Sequence, residues 1–239
     1  MSNAIKSEQL SPNTIRLAIA RRVIERKRQE LGDHLIAGAC YGSVAHNAAM
    51  ANSDVELVIL TDDTIPAKEE QFFDQGIMVE CDMLPATRML SAAQRVTSRW
   101  GIQADQYLYH LVIWDPDDFF PRLWAAANDL STQDFATAQQ QCWWWVYEVR
   151  CKMHNALLAD NRPRIAHHGW EFAYAAAMHI ALYERKPYES DRTLWQDVSA
   201  RGYGMKELVE VITAGSPEKI PAAVDNVWEH IKTWGTPRE

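Results

Sequence analysis

Hydrophobic and polar positions alternate from Asp54 to Ile59, as they do along an extended strand. Val55, Leu57 and Ile59 face a core, while Asp54 and Glu56 share the opposite face. A second alternation runs from Gly76 to Met83, with Ile77, Val79, Cys81 and Met83 on one side and Glu80 and Asp82 on the other. Leu35–Cys40 is a short apolar strand, and Tyr107–Trp114 a further one ended by Asp115-Pro116. Helical spacing surrounds these strands. Ser11-Pro12 reads as an N-cap followed by proline at the first helical position, Ile15, Ile19 and Val23 recur at i+4, and Gly32 suits the end. Pro85 starts a helix to about Ser98, while acidic, poorly periodic Asp62–Gly76 reads as a loop with some helix.

Beyond Pro116 the strand signals vanish. Helical patterns run from Ser131 to Asp160 and from Arg164 to Glu184, which stops before Pro187. Shorter ones follow at Ser190–Ala200, Met205–Thr213 and Pro217–Trp234, the last behind a second Ser-Pro cap at Ser216. The fold class is therefore α/β plus all-α: a mixed sheet with helices over residues 1–115, then a bundle of about five helices over 116–239. With no obvious linker between them, the two domains are expected to pack together.

Candidate chemistry concentrates between Tyr41 and Leu60. Asp54 and Glu56 lie roughly 7 Å apart along a strand and suit a hard divalent cation, which takes oxygen ligands. Gly42 and Ser43 leave a strand at the start of a short helix, where backbone N–H groups can hold a phosphate. Taken singly, a Gly-Ser is usually a turn and an Asp-x-Glu the wet face of a strand. Their combination in one short αβ unit, followed by the acid Glu80, is more specific.

Gly-Ser, nine intervening residues and Ser-Asp-x-Glu resemble the signature of the nucleotidyltransferase superfamily. Tyr41-Gly42-Ser43 with Ser53-Asp54-Val55-Glu56 is more narrowly similar to the kanamycin nucleotidyltransferase (aminoglycoside O-nucleotidyltransferase) family. Val79-Glu80, Trp100 with Gln106, Asp115, Glu148-x-x-x-Lys152 and Val227-Trp228…Ile231…Trp234 keep that family's order and spacing over nearly the whole chain. The resemblance implies a nucleotidyltransferase-like sheet domain that moves AMP from ATP to an aminoglycoside hydroxyl. It implies Mg²⁺ on Asp54 and Glu56, with Glu80 as a third metal ligand or a contact to substrate amines. Gly42 and Ser43 would cradle the triphosphate, Gln106 would contact the drug, and Glu148 would be the catalytic base beside the phosphate-contacting Lys152. It further implies a homodimer with shared active sites.

On helical geometry alone, Glu148 and Lys152 at i, i+4 form a surface ion pair. The run Trp143-Trp144-Trp145-Val146-Tyr147 is expected to desolvate Glu148 in part, as a base working near neutrality requires. The chain also departs from the family. His46 stands where the family has an arginine that grips phosphate, and Gln71 where it has an acid that contacts the drug. His167-His168 and His179 show no metal-binding spacing and read as packing or surface residues.

Composition narrows the partners. A net charge of −8 lacks the basic footprint of a nucleic-acid binder and favours a polycationic small molecule. The basic cluster Arg21, Arg22, Arg26, Lys27 and Arg28 on the first helix reads as a solvated face. Four cysteines without metal spacing, no apolar leader and no run of about 20 apolar residues indicate a cytoplasmic protein with no membrane span. Three alternatives remain: transfer to another small molecule such as a lincosamide, modification of a protein, and a non-catalytic relative that only binds.

Overall fold

A computed structural model describes residues 10–235. Contacts divide them into two compact units, one of residues 10–94 and 106–128, the other of 95–105 and 129–235.

The first unit opens with α1 (Pro12–Leu31), capped by Ser11, whose hydroxyl accepts from the Thr14 N–H at 3.1 Å. Strand β1 (Leu35–Cys40) follows, then the single turn α2 (Gly42–Ala45) and strand β2 (Val55–Thr61). Strands β3 (Lys68–Asp74) and β4 (Ile77–Pro85) form a hairpin, and α3 (Ala86–Ala93) returns across the sheet. After α4 (Trp100–Gln103) and α5 (Asp105–Leu108), β5 (Leu111–Trp114) and α6 (Phe119–Asn128) complete the unit. The strand order is β3-β4-β2-β1-β5, with β2 and β4 parallel and the other pairs antiparallel.

Both faces of the sheet are covered. On one, Val55, Leu57, Ile59, Val79 and Cys81 pack under Ile19, Val23 and Ile24 of α1. On the other, Ala37, Ala39, Val58 and Leu60 meet Met89 and Ala93 of α3 and Phe119, Phe120 and Leu123 of α6. Glu56, Val58 and Leu60 alternate onto this second face. The acidic end of β2 therefore continues a surface whose other half is apolar core.

Several stretches differ from the pattern-based expectation, among them α6, which no pattern signalled, and α3, which ends at Ala93 and not near Ser98. Residues 68–74 form an edge strand, not a loop with some helix. Its exposure alternates and its apolar content is low, because β4 supplies its backbone partners and α1 its charges: Arg22 binds Asp74 at 2.7 Å and Lys27 binds Glu70 at 2.9 Å. Lys27 is accordingly buried, not part of a solvated face. Residues 105–108 are helical, so β5 begins at Leu111, and Asp115 caps α6 by accepting from the N–H groups of Phe119 and Phe120 at 2.8 and 2.9 Å.

The second unit is the bundle. It comprises α7 (Thr132–Leu158), α8 (Arg162–Glu184), α9 (Leu194–Arg201), α10 (Met205–Thr213) and α11 (Ile220–Ile231), with α4 against α8. Ser131 caps α7 and Asn161 caps α8. The last helix starts at Ile220, since Ser216-Pro217 closes a turn before it. Gly101 lets α4 approach α8, where any Cβ would stand 2.6 Å from that of Ala181. Residues 95–105 thus belong with the helices, and 106–128 with the sheet, a division that interleaves what the strand and helix patterns suggest is a single boundary near residue 115. No helix among the described residues is long and apolar enough to cross a membrane.

Candidate active site

The acids gather at one end of the sheet by register. Glu56 lies opposite Glu80 in the parallel β2–β4 pair, and Glu80 and Asp82 lie opposite Gln71 and Glu69 of β3. Gln71 donates to Glu80 Oε1 at 3.2 Å. Burial, reinforced by the charges of Asp54, Asp82 and Glu69, raises Glu80 above the ordinary carboxylate pKa. Such an excess of negative charge is relieved by a bound cation.

The Gly-Ser turn is built against the same acids. Gly42 sits at φ 61°, in the left-handed region, and a Cβ there would overlap the Glu56 carboxylate. With Glu56 in its present position, only glycine leaves room for the backbone beside it. Ser43 Oγ is buried and has no hydrogen-bond partner among the described residues, an unsatisfied donor in the turn. Tyr41 donates its phenol proton to Asp82 at 3.0 Å, and burial together with the charge of Asp82 pushes its pKa well above the usual phenol value. Cys40, next in line, is raised to about 12, first by burial and then by Glu56. His46 packs its ring on Tyr109 with centroids 4.8 Å apart.

Gln106 joins this surface from α5. With Tyr41, Asp82, Leu84, Arg88 and Met89 it lines a cavity of about 190 Å³. A neighbouring cavity of 410 Å³ shares Asp82, Leu84 and Arg88 and adds Lys68 and Glu69. Asp82 therefore borders both cavities and holds Tyr41.

One contributor is absent from the motif reading. Arg16 of α1 is 2% exposed, and its guanidinium donates to Ser53 O and Ala51 O, both at 2.7 Å, and to Pro12 O at 3.1 Å. It fastens the loop that delivers Asp54. Its signal is positional: Arg16, like Lys27, falls on the helical stripe of Ile19, Ala20, Val23 and Ile24, where a charge needs buried partners.

In the helical unit, Glu148 and Lys152 face each other on α7, with Nζ 2.8 Å from Oε1. This bond raises the Lys152 pKa. The aromatic run does not cover Glu148, whose side chain is 64% exposed. Trp143 turns inward to stack on Tyr147 and donates to Lys232 O at 2.8 Å. Trp145 packs on Tyr174, and Trp144 points outward, 53% exposed.

The donor set fits the implied groups. The carboxylates of Asp54, Glu56 and Glu80 are hard oxygen ligands, the type Mg²⁺ takes, and the unpartnered Ser43 hydroxyl suits a phosphate oxygen.

Comparison with known proteins places the chain among nucleotidyltransferases. The KNTase C-terminal domain family matches residues 117–238. Two relatives named aminoglycoside nucleotidyltransferase (4'), from Staphylococcus aureus and a Bacillus species, are each 22% identical over 228 residues, or 92% of this chain and 89% of theirs. A solved nucleotidyltransferase-like protein from Exiguobacterium sibiricum shares the fold, with a TM-score of 0.55 at 12% identity over 91% of this chain and 75% of its own.

Proposed function

Because the chain belongs to the KNTase C-terminal domain family, we propose that it transfers AMP from ATP to a hydroxyl of an aminoglycoside. The observation that carries this reading is the Gly42-Ser43 turn packed against the Glu56 carboxylate, with Glu80 at the opposite register position. Asp54, Glu56 and Glu80 would hold Mg²⁺, which when bound supplies positive charge to the triphosphate. The backbone of Gly42 and the hydroxyl of Ser43 bind the phosphates, with His46 just past the end of α2.

In the reaction the acceptor oxygen bonds to the α-phosphorus while the bond to the bridging oxygen breaks, releasing pyrophosphate. Glu148 takes the proton of the acceptor hydroxyl, and Lys152 offsets negative charge on the phosphates. Gln106 contacts the acceptor from the cavity it shares with Asp82, and Glu80 offers a carboxylate to an acceptor amine as well as to the metal. A polycationic acceptor suits this wall of acids and the chain's net charge of −8.

We read the protein as a homodimer in which Glu148 or Lys152 serves a triphosphate held by the partner subunit. The exposed aromatic rings of Trp144 and Tyr147, one turn and less from Glu148, support such an interface.

The activity is tested with a panel of aminoglycosides, lincosamides and other hydroxylated acceptors in Mg-ATP, scored for pyrophosphate release. Release with aminoglycosides supports the reading; release with lincosamides alone, or with no acceptor, refutes it. Mixing an Asp54→Asn chain with a Glu148→Gln chain tests the shared site. Recovery of activity after subunit exchange supports it, and a strictly monomeric protein overturns it.

A further inference from the structure

A cavity of 480 Å³ in the helical unit lies between the end of α7 and the first turns of α8. On its α8 wall, His167, His168 and Glu171 bring one ligand atom each to within 4.8 Å of one another, and among the described residues no other group of three such side chains is found to do so. We propose that these three residues bind a divalent transition-metal ion of the zinc and nickel class.

Helical spacing creates the cluster. Glu171 follows His167 by four residues and His168 by three, so its carboxylate reaches both rings. Glu171 Oε2 lies 2.7 Å from His168 Nδ1 and 3.6 Å from His167 Nε2. Metal–ligand bonds of about 2.0–2.2 Å place tetrahedral ligands roughly 3.4 Å apart. The His167–Glu171 separation already meets that requirement, and a metal replacing the proton between His168 and Glu171 needs that pair to open by less than an ångström, or about 0.7 Å. His168 is buried, which fixes its ring, whereas His167 is exposed and free to adjust. The cavity leaves a coordination position open to water.

Two imidazoles and one carboxylate favour borderline ions, in contrast to the all-oxygen acids of the sheet. Charge does not overrule the donors. Of the two cations lining the cavity, Lys152 is paired with Glu148, and Arg164 stands on the exposed side. A phosphate-type anion would meet Lys152 and Arg164 but would have to sit against the Glu171 carboxylate.

Calorimetric titration of the full chain with Ni²⁺ and Zn²⁺ tests this site, with Co²⁺ absorption reporting its geometry. Because the acids of the sheet can also take these ions, the site is read as the one equivalent whose binding His167→Ala and Glu171→Gln each weaken at least about tenfold. Both positions are exposed enough for the variants to fold, which circular dichroism confirms. Asp54→Asn can alter only metal held by the sheet and should leave this one equivalent in place, so the outcome is independent of nucleotidyl transfer. Absence of binding, equal affinity in the His167 variant, loss of this equivalent in Asp54→Asn, or binding of inorganic phosphate in place of metal would each overturn the proposal.

Discussion

Replacing Gly42 by alanine separates the cost of backbone strain from the cost of moving the Glu56 carboxylate, a proposed metal ligand. Gly42 at φ 61° and Gly76 at φ 79° both occupy the left-handed region. An alanine at either position carries a strain of about 1–2 kcal/mol. In a chain of this size, that lowers the melting temperature by roughly 2–8 °C. The surroundings of the two glycines differ. Nothing lies within 4 Å of a Cβ at Gly76, whereas a Cβ at Gly42 collides with the end of the Glu56 side chain. Glu56 is flexible at that end and can swing away, so Gly42→Ala should cost little more stability than Gly76→Ala. The swing takes Glu56 out of the acid group and moves the wall of the Gly42-Ser43 turn. Misplacing a positioned group by about 1 Å can cost on the order of 100-fold in rate. Gly76→Ala should keep its turnover, and Gly42→Ala should lose about two orders of magnitude, with similar melting temperatures. Acceptor-dependent pyrophosphate release and differential scanning calorimetry measure the two quantities. Equal turnover in the two variants would show that the Gly42–Glu56 contact has no part in the chemistry.

Further outcomes follow from the same geometry. Asp54→Asn and Glu56→Gln should each abolish transfer while circular dichroism and melting stay close to wild type, because both side chains lie at the partly exposed end of β2. Glu148→Gln should reduce turnover strongly and leave ATP affinity nearly intact in a binding titration, since it removes a proton acceptor and no phosphate contact. Arg16→Met should destabilise the protein by about 3 kcal/mol in urea unfolding, as three carbonyls lose a buried charged donor. His179 is fully buried, bonds through Nε2 to Trp234 O at 3.0 Å, and is lowered by burial to about 4. Between that value and the unfolded value near 6.5 only the unfolded chain takes the proton. Its stabilising effect is therefore complete above about pH 6.5 and declines by about 3 kcal/mol as pH falls to about 4. A His179→Gln chain should show a flatter loss of stability between about pH 7 and about pH 5, and an unchanged slope would contradict the assignment.

The long helices were the most legible part of the fold. Ser131 and the helical patterns to Asp160 and from Arg164 to Glu184 mark α7 and α8 within a few residues, and Met205–Thr213 coincides with α10. Strand β3 was hidden because an edge strand needs only one partner: Lys-Glu-Glu-Gln-Phe-Phe-Asp carries no apolar face, and Phe73 is 75% exposed. Helix α6 was hidden because its signal is the cap, and Asp115 reads as a strand end until its two N–H donors are seen. Of the candidate site, alternation alone pairs Asp54 with Glu56 on one strand face and Glu80 with Asp82 on another. Pairing register, which decides that Glu56 meets Glu80 and that Gln71 reaches Glu80, depends on contacts far apart in the chain. The environment of Glu148 was likewise not legible. Three consecutive tryptophans point three ways around a helix, and none of those directions covers the carboxylate.

The interleaving of residues 95–105 with the bundle and of 106–128 with the sheet governs how the protein can be cut and rebuilt. The chain passes from one unit to the other three times, at 94/95, 105/106 and 128/129. A single scission near residue 115 would strip α6, with Phe119, Phe120 and Leu123, from the sheet and expose its apolar half. An exchange of either unit that follows these contacts takes three junctions, not one. During synthesis the sheet unit stays unfinished until residue 128 has emerged, and the segment around Trp100 waits longer still for α8. Gln106 follows directly on the segment that waits for the bundle and precedes the helix that completes the sheet.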